Sequence, residues 1–344
     1  MGGSGVEKGK AMMTRALVTG GGGFLGSAIV KKLVAADIPV TSISRSTYPT
    51  LETFGVMQVK GDITNLQDVV RAARGCDIVF HTAAKPGVWG RYEDYHTVNV
   101  TGTENVITAC FENNIKYLIH TSSPSVVFDG KDMEGADETA PYPAHYETHY
   151  PKTKALAERA VKQAAEKGLN AVILRPHLIW GPGDNHLTPR ILKRAEKLAR
   201  IGKAGKLVDT IYIDNAADAH VLAARALMNN PALSGNIYFI SQGAPMPVWD
   251  MVNAILAAGG KEPVNRTVPV FIARLIGAAF EMVYKTFRIE AEPPMTRFVA
   301  NELSTAHWFN ISAARKDLGY KPAVSTREGL MRLADWLDGN PYGL

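Results

Sequence analysis

Two cysteines, Cys76 and Cys110, are all the thiols that 344 residues contain. They cannot form a disulfide framework or a metal-site pattern by themselves, and such sparing use suits the reducing cytoplasm, with both side chains expected buried as small hydrophobes. His145 and His149 have the i,i+4 spacing of a metal pair. No third ligand or H-E-x-x-H order accompanies them, so no metal is expected. No run of five or six basic residues occurs and the formal charge of +5 is spread along the chain, which argues against a nucleic-acid arm and leaves a mild attraction for anions. No window approaches the roughly 20 uninterrupted apolar residues of a spanning helix. The opening MGGSGVEKGKAMM has no apolar core either, so residues 1–13 are expected to be a disordered lead-in or an expression remnant.

What is present is the composition of a soluble globular protein, 46% hydrophobic and 21% charged. From Arg15 onward, short β-branched runs (RALVTG, PVTSISR, GVMQVKGD, DIVFHTAA, KYLIHTSS, NAVILRP) alternate with segments of helical period (SAIVKKLVAAD, LQDVVRAARG, TENVITACFENN and Tyr150 to Lys167). That alternation predicts an α/β fold with a doubly wound parallel sheet of the Rossmann kind. Beyond Gly181 it weakens and proline becomes frequent. A dinucleotide-binding domain over 14–180 is therefore expected, followed by a smaller, mostly helical substrate region over 181–344. The boundary is not clean, because elements near 208–241 read as returning to the main sheet.

LVTGGGGFLGSAIV sets Gly20, Gly23 and Gly26 between a strand and an amphipathic helix. Glycine there permits a tight turn and the close approach of a pyrophosphate to a helix N-terminus. The second strand ends in Ser44 and Arg45 with no acid. A carboxylate there would accept from the ribose 2′-hydroxyl of NAD, whereas hydroxyls and a cation suit a 2′-phosphate, so NADP(H) is expected to be preferred, with NAD(H) possible.

Tyr150 and Lys154 stand one turn apart where ETHYPKTKAL opens a helix, and Pro151 lies in the first turn that tolerates it. A free phenol has a pKa of about 10, and a neighbouring ammonium favours its ionised form while also being able to bond the ribose of a nicotinamide cofactor. A hydroxyl at the end of the fifth strand should complete the group, and TSSPS offers Thr121, Ser122, Ser123 and Ser125. Tyr142 and Tyr146 precede the same helix but have no lysine four residues on, which makes them expected pocket walls.

Taken together, T-G-x-x-G-x-x-G over Thr19–Gly26, TSSP and YPKTK resemble the extended short-chain dehydrogenase/reductases. The resemblance implies a catalytic set of Ser123, Tyr150 and Lys154, because the family's serine stands three residues before a valine, here Val126. Ser122 and Ser125 are the neighbouring alternatives. It also implies adenine contact at Asp62, which could equally be a helix cap, close passage of the cofactor at Ala83 and Ala84, and a positioning asparagine at Asn99. Phe24, Leu25, Ile63, Lys85, Pro176 and His177 complete the expected cofactor surface, with Tyr150 and Lys154. Segments such as RPHLIWGPGDNHLTPR, YIDNAADAH and EPPMTRFVANELSTAHWF are similar to the 3β-hydroxysteroid dehydrogenase branch. Within it they look most like reductases of 2-alkyl-3-oxoalkanoic acids in long-chain olefin biosynthesis, and next like sterol-4α-carboxylate 3-dehydrogenases. Nucleotide-sugar epimerases and dehydratases are a further alternative among extended relatives. An NADPH-dependent reduction of a β-keto acid is implied, in a homodimer acting on a hydrophobic small molecule.

Both leading activities move a hydride at the carbon β to a carboxylate, so a cation should meet the acid: Lys85, Arg91, His186 or Arg190. VPVFIARLIGAAFEMVYKTF, 268–287, confines Arg274, Glu281 and Lys285 to one narrow helical stripe beside a broad apolar face. The readings are a lid over an acyl pocket, peripheral contact with a membrane or a biosynthetic complex, or packing within the second domain or a dimer.

Overall fold

Residues 13–340 are described by the structure, a computed structural model; the expected lead-in, apart from Met13, lies outside the described residues. Seven strands make the main sheet: β1 (Ala16–Thr19), β2 (Val40–Ser44), β3 (Met57–Lys60), β4 (Ile78–His81), β5 (Tyr117–Thr121), β6 (Asn170–Pro176) and β7 (Ile237–Ile240). All pair in parallel in the order β7-β6-β5-β4-β1-β2-β3. The winding reverses between β1 and β4, which opens a crevice at their C-terminal ends, where such sheets hold ligands.

Helices used below are α1 (Phe24–Val34), α2 (Leu66–Ala73), α3 (Gly102–Glu112), α4 (His149–Glu166), α5 (Ile213–Asn229), α6 (Val270–Thr286) and α7 (Arg297–Glu302). Both faces of the sheet are covered, so the central strands are buried along their length rather than alternating, while the edge strand β3 stays partly exposed. Ala16 and Val18 face one apolar cluster with Ile29 of α1 and Ala216 of α5. Leu17 faces the other, with Val69 of α2, Val106 of α3 and Val161 of α4. Cys76 and Cys110 are buried there as free thiols.

The C-terminal third is helical but also carries a small sheet. In it His307–Phe309 lies between Met133–Ala136 and Leu207–Val208, and Met246–Pro247 forms an edge. α6 presents much of its apolar face outward. Only Ala273 and Gly277 are buried along it, whereas Phe271, Leu275 and Met282 are 70%, 69% and 66% exposed. Glu281 of the polar stripe turns inward instead and accepts from Arg297 N at 2.8 Å and Arg297 Nε at 2.9 Å. A Cβ on Gly277 would sit 2.7 Å from Arg297 N, so glycine lets α6 cross the start of α7 closely. No helix among the described residues is long and apolar enough to cross a membrane.

Candidate active site

The crevice holds a cavity of about 800 Å³ that runs from the glycine loop to α7. At one end Gly20, with φ +72°, turns the chain out of β1, and a Cβ on Gly26 would stand 2.2 Å from Gly20 O. Only glycine lets the loop fold so tightly against α1. α1 begins without a side-chain cap on Gly23, leaving its first N–H groups for an anion. Phe24, Leu25, Ser44, Arg45, Asp62, Ile63, Ala83 and Ala84 line the same end. Ser44 Oγ is buried with no hydrogen-bond partner, an unfilled donor beside the exposed Arg45. Asp62 Oδ1 accepts from Thr64 N at 2.9 Å, so it holds a turn, and the cap of α2 is Asn65. This loop, uncapped helix and orphaned hydroxyl fit a dinucleotide.

In the middle, Ser123, Tyr150 and Lys154 face the cavity together. α4 starts at His149, within one residue of the expected position, and carries Tyr150 and Lys154 on one side. Lys154 Nζ donates to Thr121 O at 2.6 Å, and burial pulls its pKa down to about 8 while Glu158 works against the fall. Burial pushes Tyr150 up to about 12; the Ser123 hydroxyl lowers it, and Glu302 across the cavity adds to the rise. Desolvation therefore dominates over the phenolate stabilisation expected from the tyrosine-lysine spacing. The three serines are separated by their partners. Ser122 Oγ donates to Glu158 Oε2 at 2.5 Å, whereas Ser123 Oγ lies 2.9 Å from Ser125 Oγ and opens on the cavity beside Tyr150.

Asn99 and Lys85 stand behind the wall and not on it. Asn99 sits in a π-helical turn, Thr97–Thr101, where its amide accepts from Lys85 N at 2.7 Å and donates to Thr153 Oγ1 at 3.1 Å. It thus ties the loop after β4 to α4. Single-turn π segments of this kind often mark functional sites. Tyr142 and Tyr146 are not the expected pocket walls. Their hydroxyls donate to Glu158 Oε1 at 2.6 Å and Val126 O at 3.0 Å. His149 packs edge-on against Tyr92.

Pro176 and His177, expected on the cofactor surface, line the cavity at the end of β6, and at the far end the walls are Ile179, His186, Leu187, Arg190, Glu292, Phe298, Glu302 and Phe309. Of the four cations proposed for a substrate acid, His186 and Arg190 are here. Arg91 pairs with Asp94 on the surface and Lys85 lies over the Tyr95 ring. Sequence reasoning missed Tyr48, whose ring crowds Gly22, and Glu302, which burial pushes up to about 7. Glu302 stood in plain view in EPPMTRFVANELSTAHWF, but nothing local ties it to Tyr150.

The profile of the 3-beta hydroxysteroid dehydrogenase/isomerase family matches residues 17–270. The chain is 48% identical over 333 residues to the 2-alkyl-3-oxoalkanoate reductase of Shewanella oneidensis, covering 94% of this chain and 86% of that one. It is 33% identical over 341 residues to the sterol-4-alpha-carboxylate 3-dehydrogenase, decarboxylating, of Candida albicans, covering 94% and 97%. In fold it is similar to the UDP-glucuronic acid 4-epimerase of Bacillus cereus in complex with NAD, with TM-score 0.73 and 22% identity over 95% of this chain and 99% of that one.

Proposed function

Because the chain belongs to the 3-beta hydroxysteroid dehydrogenase/isomerase family, NAD(P)-dependent oxidoreductases of hydroxyl and keto groups, we propose that it uses NADPH to reduce a 2-alkyl-3-oxoalkanoic acid to the 3-hydroxy acid in long-chain olefin biosynthesis. The observation that carries this reading is the convergence of Ser123, Tyr150 and Lys154 on a cavity whose far end combines an apolar wall with Arg190. Ser44 and Arg45, with no acid beside them, support the 2′-phosphate over the 2′-hydroxyl.

A dihydronicotinamide cofactor held by the glycine loop and Lys154 would supply the hydride to C3 of the substrate. As the carbonyl oxygen gains charge, Ser123 Oγ donates a hydrogen bond to it and Tyr150 Oη transfers its proton. A phenol held near 12 stays protonated at neutral pH, the form a donor to a developing alkoxide must have. The Lys154 ammonium and Ser123 then stabilise the phenolate that remains.

Tyr150→Phe is expected to lower turnover about 10²–10⁴-fold, the range of a lost general acid, with NADPH binding still measurable by fluorescence. Turnover within tenfold of the parent would remove Tyr150 from this role. The Candida albicans likeness supports a second reading, oxidation of a sterol-4α-carboxylate, read out as NADP reduction. The proposal includes a cytoplasmic homodimer and peripheral contact of 268–287 with a lipid surface. The outward apolar face of α6 supports that contact.

A further inference from the structure

Glu292, in the segment 287–296 that joins α6 to α7, lines the far end of the cavity. Three contacts from the body clamp this strap. Trp89 Nε1 donates to Ile289 O at 3.0 Å, Arg194 Nη1 donates to Pro294 O at 3.0 Å, and Arg190 pairs with Glu292. The first two hold backbone carbonyls and are indifferent to what occupies the cavity. The third differs, because both of its side chains line the cavity and are 37% and 30% exposed. An ion pair that open is weak, and a better-placed anion can displace it.

The charges of this end do not balance for a third acid. Arg190 is its one permanent cation among the described lining residues, since Lys154 is committed to Thr121 O and Arg45 lies at the glycine-loop end. It already faces Glu292 and Glu302, while Asp184 is spent on the backbone N–H groups of His186, Leu187 and Thr188. A carboxylate substrate entering here competes with the resident acids for Arg190, and of these Glu302, which burial pushes up to about 7, can instead take up a proton. Glu302 belongs to helix α7, whereas Glu292 sits on a strap.

We propose that Arg190 is the receptor for the substrate's carboxylate and that Glu292 is a resident stand-in, displaced when the acid binds. The guanidinium exchanges one carboxylate for another, bidentate in geometry, and the strap loses one of its three clamps as it does so. A neutral ester cannot make the exchange. Specificity for acids over esters then resides in Arg190, a residue outside the set of Ser123, Tyr150 and Lys154.

This inference rests on the β-keto acid reading, so its test uses binding and turnover separately. Calorimetry with the NADP-loaded full chain would compare 2-hexyldecanoic acid with its methyl ester, for the parent, Arg190→Gln, Glu292→Gln and the double variant. Arg190→Gln should weaken the acid about 30-fold and leave the ester within about threefold, which also reports an intact fold. Glu292→Gln should tighten the acid about three- to tenfold, and only while Arg190 is present. Equal loss for acid and ester in Arg190→Gln, or weaker acid binding in Glu292→Gln, would overturn the proposal. If the parent binds the acid through Arg190 but reduces no 2-alkyl-3-oxo acid, the functional reading fails and the receptor stands. Reduction with binding that ignores Arg190 sinks the receptor alone.

Discussion

Glu158→Gln should be among the most damaging single-atom changes available to this chain. The Glu158 side chain is 0% exposed and Arg175, its partner, 1%. Glu158 Oε1 accepts from Arg175 Nη2 at 2.6 Å and from Tyr142 Oη at 2.6 Å, while Oε2 accepts from Arg175 Nε at 3.1 Å and Ser122 Oγ at 2.5 Å. The amide removes the countercharge and turns one acceptor into a donor facing donors. Arg175 Nη1 already lacks a hydrogen-bond partner, and the Tyr142 and Phe239 rings beside the guanidinium offer it no hydrogen-bonding carboxylate in place of Glu158. Breaking a buried pair from one side costs roughly 3–5 kcal/mol. With a urea slope of about 3 kcal/mol/M, that is a midpoint lowered by about 1–1.7 M. Replacing both partners together, Glu158→Leu with Arg175→Met, should recover part of the loss, because apolar isosteres of a buried pair are often neutral. The function should feel the single change too, since Glu158 holds the Lys154 pKa up and its loss moves the ammonium's titration below 8. A Glu158→Gln protein within about 1 kcal/mol of the parent, or a double variant as unstable as the summed singles, would refute this account of the pair.

Arg45→Ala should reduce kcat/KM for NADPH about 10- to 100-fold, the worth of one charge-assisted phosphate bond, and leave NADH within about threefold; parallel losses for both would place Arg45 outside the discrimination. With Lys154 at about 8 and Tyr150 at about 12, kcat/KM for reduction should be level below pH 8 and fall above it as the ammonium is lost while the phenol stays protonated. Lys154→Arg should push that fall beyond pH 10, and an unchanged profile would assign it to another group. The parent should cosediment with anionic vesicles and Leu275→Glu/Met282→Glu should not, with turnover of a short soluble acid unaltered; a parent left in the supernatant removes the lipid-surface reading of α6.

The sheet was legible because short β-branched runs alternate with segments of helical period, and the glycine loop because its backbone geometry tolerates so few alternatives. Tyr150 and Lys154 were legible as a pair because one helical turn sets their common side. What stayed hidden depends on long-range pairing. Glu158 and Arg175 look like ordinary helix and strand charges until α4 is laid against β6, and the hydroxyls of Ser122 and Tyr142 are claimed only then. The direction of α6 was hidden for the same reason. Of its polar stripe only Glu281 turns inward, to Arg297, while Arg274 and Lys285 stay exposed alongside Phe271, Leu275 and Met282. No local pattern distinguishes Arg190 from Arg91; only the fold puts one in the cavity and the other on the surface.

The small sheet has a consequence for the chain as it is made. Met133–Ala136 leaves the ribosome about 170 residues ahead of His307–Phe309, an interval of roughly 10–30 s at ordinary synthesis rates. Through that interval one edge of the cavity is an unpaired strand, and Met133 N, which ends on Ala306 O at 2.7 Å, has no acceptor yet made. The nascent dinucleotide-binding half therefore passes through a long adhesive phase, when a chaperone or the edge of another nascent chain can reach the same hydrogen-bonding groups that His307–Phe309 later closes.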